Sequence, residues 1–403
     1  MYFYTQNEYE CSGCTACVNV CAHAPAITME KNDEGFLYPI RHDDLCVKCG
    51  LCEKVCPFEH PIYKNDAPTV YAAYDKMERS GSSSGGLFYT IASYVINCGG
   101  VVFGAACNKD LKVRHICART LQELQPLRGS KYVQSELGDC YEKIKDELKK
   151  GTLVYFTGVG CQVAGLYAFL RKDYKNLVTS DIVCHGVPSQ YMFDVHLSFL
   201  KDRYKSRVKS YSFREKEYWL TREEVEFENG RMKRKYDGNM SPFLYSFGLG
   251  YISRYSCFNC IFAKIPRQGD MSLADFWGVE EAVPGIDTSK GVSLVLLNNG
   301  KGRKIWDEIK ENLVCYESTL EAAIKYNPNV VRPTKEPDFR KDFFKILRKI
   351  GYSQMATTIL SCPPEMRNRR IELKMVLSRW HLYWMYYYAK RYLKIVLKNL
   401  KLK

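Results

Sequence analysis

Two cysteine runs near the beginning of the chain restrict it more than any other feature. The first is Cys11-x2-Cys14-x2-Cys17-x3-Cys21, and the second is Cys46-x2-Cys49-x2-Cys52-x3-Cys56 with Pro57 directly behind it. Four thiolates converging on a small volume can hold a cubane [4Fe–4S] cluster. The x2 spacings wrap three sulfurs around one face, and the fourth cysteine of each run, three residues on, reaches the other cluster. The spacing therefore predicts one cluster on Cys11, Cys14, Cys17 and Cys56, and a second on Cys46, Cys49, Cys52 and Cys21. Zinc sites and disulfide frameworks are the alternatives, but zinc motifs use paired C-x2-C units rather than triplets with an x3 tail. In the first run the proline arrives late, at Pro25, so the turn there is expected to differ from that at Pro57.

With 403 residues, the chain is long enough for two or three domains around such a module. Eight of its eighteen cysteines are taken by clusters that need reduced thiolates, which predicts a reducing, cytoplasmic setting. Met1 to Glu10 has neither a basic nor an apolar signal region, and no apolar run reaches the length of a membrane span. The net charge of +14 is uneven: from Glu365 to Lys403 there are eleven Lys or Arg against two Glu. There Leu393, Val396, Leu397 and Leu400 share one helical face, with Lys394, Lys398 and Lys401 away from it. Such a helix can meet an anionic membrane surface peripherally, dock an acidic protein, or pack on its own domain. Nucleic acid is not expected, because no nucleic-acid-binding pattern accompanies the charge.

Along the chain, 1–60 reads as the cluster module and 61–69, polar with two prolines, as a linker. Strand, loop and helix then alternate: Val70–Tyr74, Ser80–Gly86, Leu87–Asn97, and a strand at Gly100–Ala106. The plan recurs with a strand at Leu153–Thr157, a loop at Gly158–Gln162 and a helix to Leu170. It recurs again with a strand at Leu177–Val183, a turn at Cys184–Pro188 and a helix from Ser189 to Leu200, with Ser189 as its cap. Antiparallel strands are expected between Val208 and Tyr236, a strand at Gly291–Leu297, and a helix from Gly302 to Glu311. The fold class is a small ferredoxin-like module followed by a mixed-sheet α/β core in two parts, 70–150 and 151–335, and a basic helical tail, 336–403.

Most of the ten other cysteines read as small buried hydrophobes. Four stand apart. Cys257 and Cys260 form a C-x2-C pair, while Cys161 and Cys184 sit in equivalent loops after successive strands. Loops at the carboxyl ends of strands converge on one rim, so these four can supply a third cluster; a zinc site or no metal is the alternative. Ser82, Ser83, Ser84, Gly85 and Gly86 offer small residues before a helix, a phosphate cradle or a plain linker. Clusters move single electrons, and two-electron chemistry needs a converter, usually a flavin such as FAD, whose pyrophosphate would use such a cradle. Arg128 and Lys131 in Arg128-Gly-Ser-Lys-Tyr132 add two cations, or merely a solvated turn. His185 is a candidate donor to a flavin, substrate or sulfur, or an ordinary buried histidine. Asp275-Phe-Trp-Gly278 ends a strand where a cofactor rim is expected, or supplies core aromatics.

Ser82-Ser-Ser-Gly-Gly-Leu87, Val102-Phe-Gly-Ala105, Arg128-Gly-Ser-Lys-Tyr132, Gly160-Cys-Gln-Val-Ala-Gly165, Cys184-His-Gly-Val-Pro-Ser189, Cys257-x2-Cys260 and Ala274-Asp-Phe-Trp-Gly278 run in the order seen in the coenzyme F420 hydrogenase/dehydrogenase beta-subunit family. The resemblance spans about residues 70 to 315, with the di-cluster module that many members carry. It implies an FAD-binding core, a third [4Fe–4S] cluster on Cys161, Cys184, Cys257 and Cys260, and flavin contacts from Ser82 to Gly86, Lys131, Gly158 and Gly160. It further implies an enzyme passing electrons between clusters and FAD, with hydride exchange to coenzyme F420 or another small molecule and a ferredoxin or redox subunit as partner. The alternative is a relay subunit without its own substrate site. Gly160 stands where relatives often carry proline, which predicts a looser loop, and the segment from Asp338 onward matches nothing in the family core.

Overall fold

The computed structural model describes residues 1–62, 65–214, 223–235 and 241–360, and in the tail residues 373, 376–377, 380, 382, 385–386, 388–389, 392–393 and 396. The cysteine runs flank a two-stranded antiparallel hairpin, β1 (Ile27–Lys31) and β2 (Leu37–Arg41). Each run contributes one short helix, Ala16–Asn19 or Leu51–Lys54, and each helix follows a left-handed residue, Thr15 or Gly50.

The core is an eight-stranded mixed sheet. In chain order its strands begin with β3 (Thr69–Asp75), β4 (Val101–Cys107), β5 (Val113–Ala118), β6 (Val154–Val159) and β7 (Leu177–Ile182). A separate three-stranded antiparallel sheet follows, β8 (Val208–Ser212), β9 (Glu223–Phe227) and β10 (Met232–Lys235). The large sheet is completed by β11 (Met271–Asp275), β12 (Ser293–Leu297) and β13 (Leu313–Ser318), in the order β13-β3-β12-β11-β7-β6-β4-β5. Strands β4, β6, β7 and β11 are parallel neighbours, and the remaining pairs in the sheet are antiparallel. The parallel centre reads as continuous apolar runs because helices cover both faces, and β6 and β12 are accordingly buried almost throughout.

The helix Leu87–Asn97 lies where the sequence places it, and Ser189 caps the helix Gln190–Tyr204 by accepting from the Met192 N–H. One boundary differs. The helix after β6 starts at Gly160, so Cys161 lies in its first turn rather than in a loop. Gly160 is tightly packed, since a Cβ there would meet the Phe262 Cβ at 3.2 Å, and the looser loop expected from this glycine is not found.

The basic tail expected from residue 336 divides in two. Helices Arg340–Ile350 and Tyr352–Thr358 bury Phe343, Phe344, Leu347 and Met355 in the cluster built on Phe193, Phe213, Phe227 and Phe243. Beyond residue 360, Leu393 and Val396 are helical, while Leu397, Leu400 and the three lysines of that amphipathic pattern lie outside the described residues. Among the described residues no helix is long and apolar enough to cross a membrane.

Arg340 anchors the added helices. Fully buried, it faces both carboxylate oxygens of Glu34 in the β1–β2 turn, donates to the Ser253 carbonyl at 2.7 Å and stacks on Tyr255 at 4.0 Å. Removing one partner of a buried pair strands the other. Arg340→Ala should therefore cost about 3 kcal/mol or more in urea unfolding, with Arg340→Lys recovering only part because it lacks the planar fork. A wild-type midpoint in the alanine variant would show the pair to be dispensable.

Candidate functional site

The first cysteine set is interleaved as the spacing demands. Cys11, Cys14, Cys17 and Cys56 line one cavity, with Tyr2, Pro39 and Phe58 in its walls. Burial pushes the Cys14 thiol up to about 12 and Cys17 well above its ordinary value, with the neighbouring cysteines adding to both. Backbone N–H groups answer from the loops, among them Gly13 to Cys11 Sγ at 3.4 Å. Thiols so buried stay neutral unless something cationic compensates them, which suits metal ligation. In the second run, Cys46 lies within electrostatic reach of Cys52, Lys48 N–H points at Cys46 Sγ at 3.4 Å, and Cys49 is exposed. Leu45 and Val47 are exposed beside them. Cys21 is half-buried, and its place in this second set rests on spacing.

At the carboxyl ends of the parallel strands a second cavity is lined by Cys161, Cys184, Cys257 and Cys260. The sheet explains the convergence: Cys161 follows β6, Cys184 follows β7, and the 3-10 turn Tyr255–Cys257 delivers the C-x2-C pair opposite them. Burial raises all four thiols, Cys184 to about 11, and the other members of the set raise Cys161, Cys184 and Cys257 further. Gly186 N–H points at Cys184 Sγ at 3.4 Å. The two cavities adjoin: Ser12 and Phe58 line both, and Cys14 lies within electrostatic reach of Cys161. Among the described residues no three His, Cys, Asp or Glu side chains are close enough to share a single ion; the cysteines surround cavities instead.

Two buried arginines that no sequence motif marks hold this arrangement. Arg254, fully buried, donates from Nε to the Cys11 carbonyl at 2.7 Å and from Nη2 to the Leu37 carbonyl at 3.0 Å, and its own N–H donates to the Val187 carbonyl. Arg267 lines the second cavity and pairs with the buried Asp181 at 2.6 Å. The partners of both are far away in sequence. Only an apolar context around a lone arginine could have hinted at them.

Beside the second cavity lies a cleft of about 290 Å³. Cys161, Cys184, Val159, Gly186 and Val187 line both spaces, so the thiols form a shared wall. The cleft collects Ser82, Ser83, Ser84, Gly86, Lys131, Gly158, His185 and Asp275. Gly85 lies behind the loop, where a Cβ would meet the Ala73 carbonyl at 2.4 Å, and Gly160 lines the thiol cavity instead. Gly86, at φ +99°, is the left-handed N-cap of Leu87–Asn97 and turns that helix's positive end toward the loop. The serine loop is tied to the Arg128–Lys131 turn: Ser130 N–H donates to Ser83 Oγ at 2.8 Å. Arg128 is committed to Glu78 at 3.0 Å and to the Tyr89 ring at 4.0 Å.

Lys131 is the uncommitted charge of this wall. Its Nζ donates to the Arg128 carbonyl at 2.9 Å, and among the described residues no carboxylate pairs with it. The protein packed around it pushes its pKa down to about 7, with Cys107 pulling slightly the other way. His185 is open to the cleft yet surrounded by protein, which lowers its pKa, while Asp275 opposes the shift. His115, equally unforeseen, is held neutral with a pKa of about 4 by burial, between the Thr157 carbonyl at 3.1 Å and Ser135 Oγ at 3.0 Å. Arg214 pairs with Asp275 and lies over Trp277; Asp275 lines the cleft, whereas Trp277 is not part of its lining.

Residues 151–323 match the sequence model for the C-terminal part of the coenzyme F420 hydrogenase/dehydrogenase beta subunit, and residues 10–60 match that of the 4Fe-4S dicluster domain. A ferredoxin of Saccharopolyspora erythraea is 54% identical over 35 residues, 9% of this chain and 33% of that protein. One of Mycolicibacterium smegmatis is 48% identical over 33 residues, 8% of this chain and 31% of that protein. The chain thus spans about a third of the length of the ferredoxins it matches. A chain of the F420-reducing [NiFe] hydrogenase complex from Methanosarcina barkeri is similar over 74% of this chain and 95% of its own, at 17% identity and a TM-score of 0.45.

Lys131 generates a pH signature. A lysine whose folded pKa is depressed to about 7 is mostly neutral at pH 8, and a dianion entering the cleft favours its charged form and draws in a proton. Pyrophosphate binding should therefore take up protons at pH 8 and weaken as pH rises through 7 to 9, as measured by calorimetry in buffers of different ionisation enthalpy. Lys131→Gln should remove that uptake; an unchanged uptake would place the proton elsewhere.

Proposed function

We propose that this chain, whose residues 151–323 match the C-terminal part of the coenzyme F420 hydrogenase/dehydrogenase beta subunit and whose residues 10–60 match the 4Fe-4S dicluster domain, is an iron–sulfur flavoprotein oxidoreductase. The observation that carries the proposal is the wall shared by the cleft and the four-cysteine cavity, where Cys161 and Cys184 face both spaces. In this reading Cys161, Cys184, Cys257 and Cys260 hold a third [4Fe–4S] cluster. Ser82, Ser83, Ser84, Gly86 and Lys131, in the wall of the cleft, would hold the phosphates of an FAD. When bound, the clusters supply single electrons and the flavin joins two of them into hydride chemistry. The donor set suits both groups: four buried thiols around one cavity on one side, and a lysine without a carboxylate beside a helix N-terminus on the other.

The chain's own residues then have distinct tasks. Gly86 and the helix it caps bring N–H groups to an anion, and Lys131 gains a proton there. His185, beside Asp275, is the residue placed to exchange a proton with a substrate in the cleft. Hydride exchange is with coenzyme F420 or another small acceptor or donor. The exposed Cys49, flanked by Leu45 and Val47, marks where a ferredoxin or another redox subunit would approach. That exposure also supports the second reading, a relay to a separate catalytic partner.

Iron and released flavin per chain separate the two. Anaerobically purified protein should hold about twelve irons and one FAD, and a low-potential donor should bleach its flavin absorbance. Cys184→Ser should lower the iron to about eight. About eight irons and no flavin in the wild type would leave the relay and overturn the flavoenzyme.

A further inference from the structure

We propose that Arg267 holds the Cys161/Cys184/Cys257/Cys260 site at a higher reduction potential than the Cys11/Cys14/Cys17/Cys56 site, so that electrons at equilibrium favour the side facing the cleft. The inference rests on the reading of the inner four cysteines as a cluster site, and it concerns how electrons distribute between the two sites at equilibrium.

The two cavities are otherwise alike. Each is bounded by four cysteines and apolar side chains, and each offers backbone N–H groups to its thiols, as Gly13 does to Cys11 and Gly186 to Cys184, both at 3.4 Å. A cubane bearing four thiolates is an anion that becomes more negative on reduction. Burial opposes that gain of charge, and a fixed cation favours it. Among the described residues, only the inner cavity has a guanidinium in its wall. The outer wall carries the Glu10 carboxylate and the Met1 amine, and that amine is shared between Glu10 at 3.3 Å and Glu59 at 2.7 Å, which leaves the surroundings acidic. Arg254 does not break the symmetry, because it touches the Cys11 loop and lies near Cys257 as well.

Arg267 is 2% exposed, and its charge partner is placed asymmetrically. Asp181 accepts from Arg267 Nη2 and from Ser272 but does not line the cavity, so the pair presents its positive end to the sulfurs. Arg267 Nη1 reaches the Val330 carbonyl only at 3.4 Å, and its Nε–H has no hydrogen-bond partner. A buried guanidinium with an unused donor, in a wall that carries no other charged side chain, is poised for an anion.

The redox balance is simple. Each one-electron reduction from a low-potential protein donor oxidises that donor, and two of them with one proton make a hydride equivalent for an acceptor in the cleft. Potentiometric titration followed by electron paramagnetic resonance reads the order of reduction, with Cys257→Ser identifying the inner signal by its loss. In the wild type the inner site should reduce before the Cys11 set. Arg267→Gln leaves Asp181 stranded and is a risk to folding, so the decisive variant is Asp181→Asn with Arg267→Gln, which removes the pair as a unit. At equal poise, its inner site should lose about tenfold or more of its electron occupancy relative to the outer one, while Arg267→Lys should keep the wild-type order. Unchanged midpoints in the double variant, or an outer site that reduces first in the wild type, would overturn the proposal. A wild type with about eight irons would instead remove the four-cysteine reading beneath it.

Discussion

Arg254 is the contact on which the assembly of this molecule turns. Its Nε holds the carbonyl of Cys11, its Nη2 holds the carbonyl of Leu37 in β2, and its own N–H binds the loop that presents Cys184. One residue thereby fixes the N-terminal module and its hairpin, through its side chain, and the rim of the central sheet, through its backbone, against one another. A guanidinium can do this because its five donors lie in a rigid plane, and stacking on Tyr38 at 3.9 Å covers one face of that plane. A lysine would reach one of the two carbonyls that the guanidinium holds and leave the other buried without that partner.

From that registration follows the adjacency of the two thiol cavities. Ser12 belongs to both walls because it sits one residue beyond the carbonyl that Arg254 holds, and Phe58 joins it from the end of the second run, edge-on to Phe262 at 5.3 Å. Arg340 repeats the device on the other side of the hairpin, fastening Glu34 to the helices after residue 338. The added helices are thus part of the same docking surface, not an appendage, up to residue 360. Charge is buried at each of these places, and each charge has a carboxylate, a carbonyl or a ring to answer it.

What the sequence makes legible here depends on how local the governing physics is. Cysteine spacing is set by loop reach to a fixed object, so the interleaving of Cys56 with Cys11, Cys14 and Cys17 is readable from the chain alone. The helix Leu87–Asn97 is equally plain, since Gly86 and the apolar pattern define it within a few residues. Cys161 is displaced by a single turn from its expected loop because Gly158 and Gly160 suggest an irregular segment, whereas the burial of Gly160 against Phe262 starts the helix early. Arg254, Arg267 and Arg340 are invisible for the opposite reason. Each is an isolated basic residue whose meaning lies in partners from other parts of the chain, and no periodicity records that. Lys131 and Arg128 look like a pair of cations in the sequence, but tertiary contacts separate them: Arg128 is consumed by Glu78 and Tyr89, and Lys131 alone keeps its charge available.

The parallel strands give the site its logic. Strands β6, β7 and β11 run side by side, so whatever follows each of them arrives at one edge, and there they deliver Cys161, Cys184 and Asp275 within one wall. The antiparallel neighbours β12 and β3 then close the sheet and bring Ser293 under Gly85, which sets the serine loop on the same edge. The thiol cavity and the serine–glycine loop are therefore brought to one edge by one topology rather than by two coincidences. The cleft lies between them, lined by residues of both. Any group bound there would have buried sulfur on one side and, on the other, a lysine that no carboxylate among the described residues pairs with.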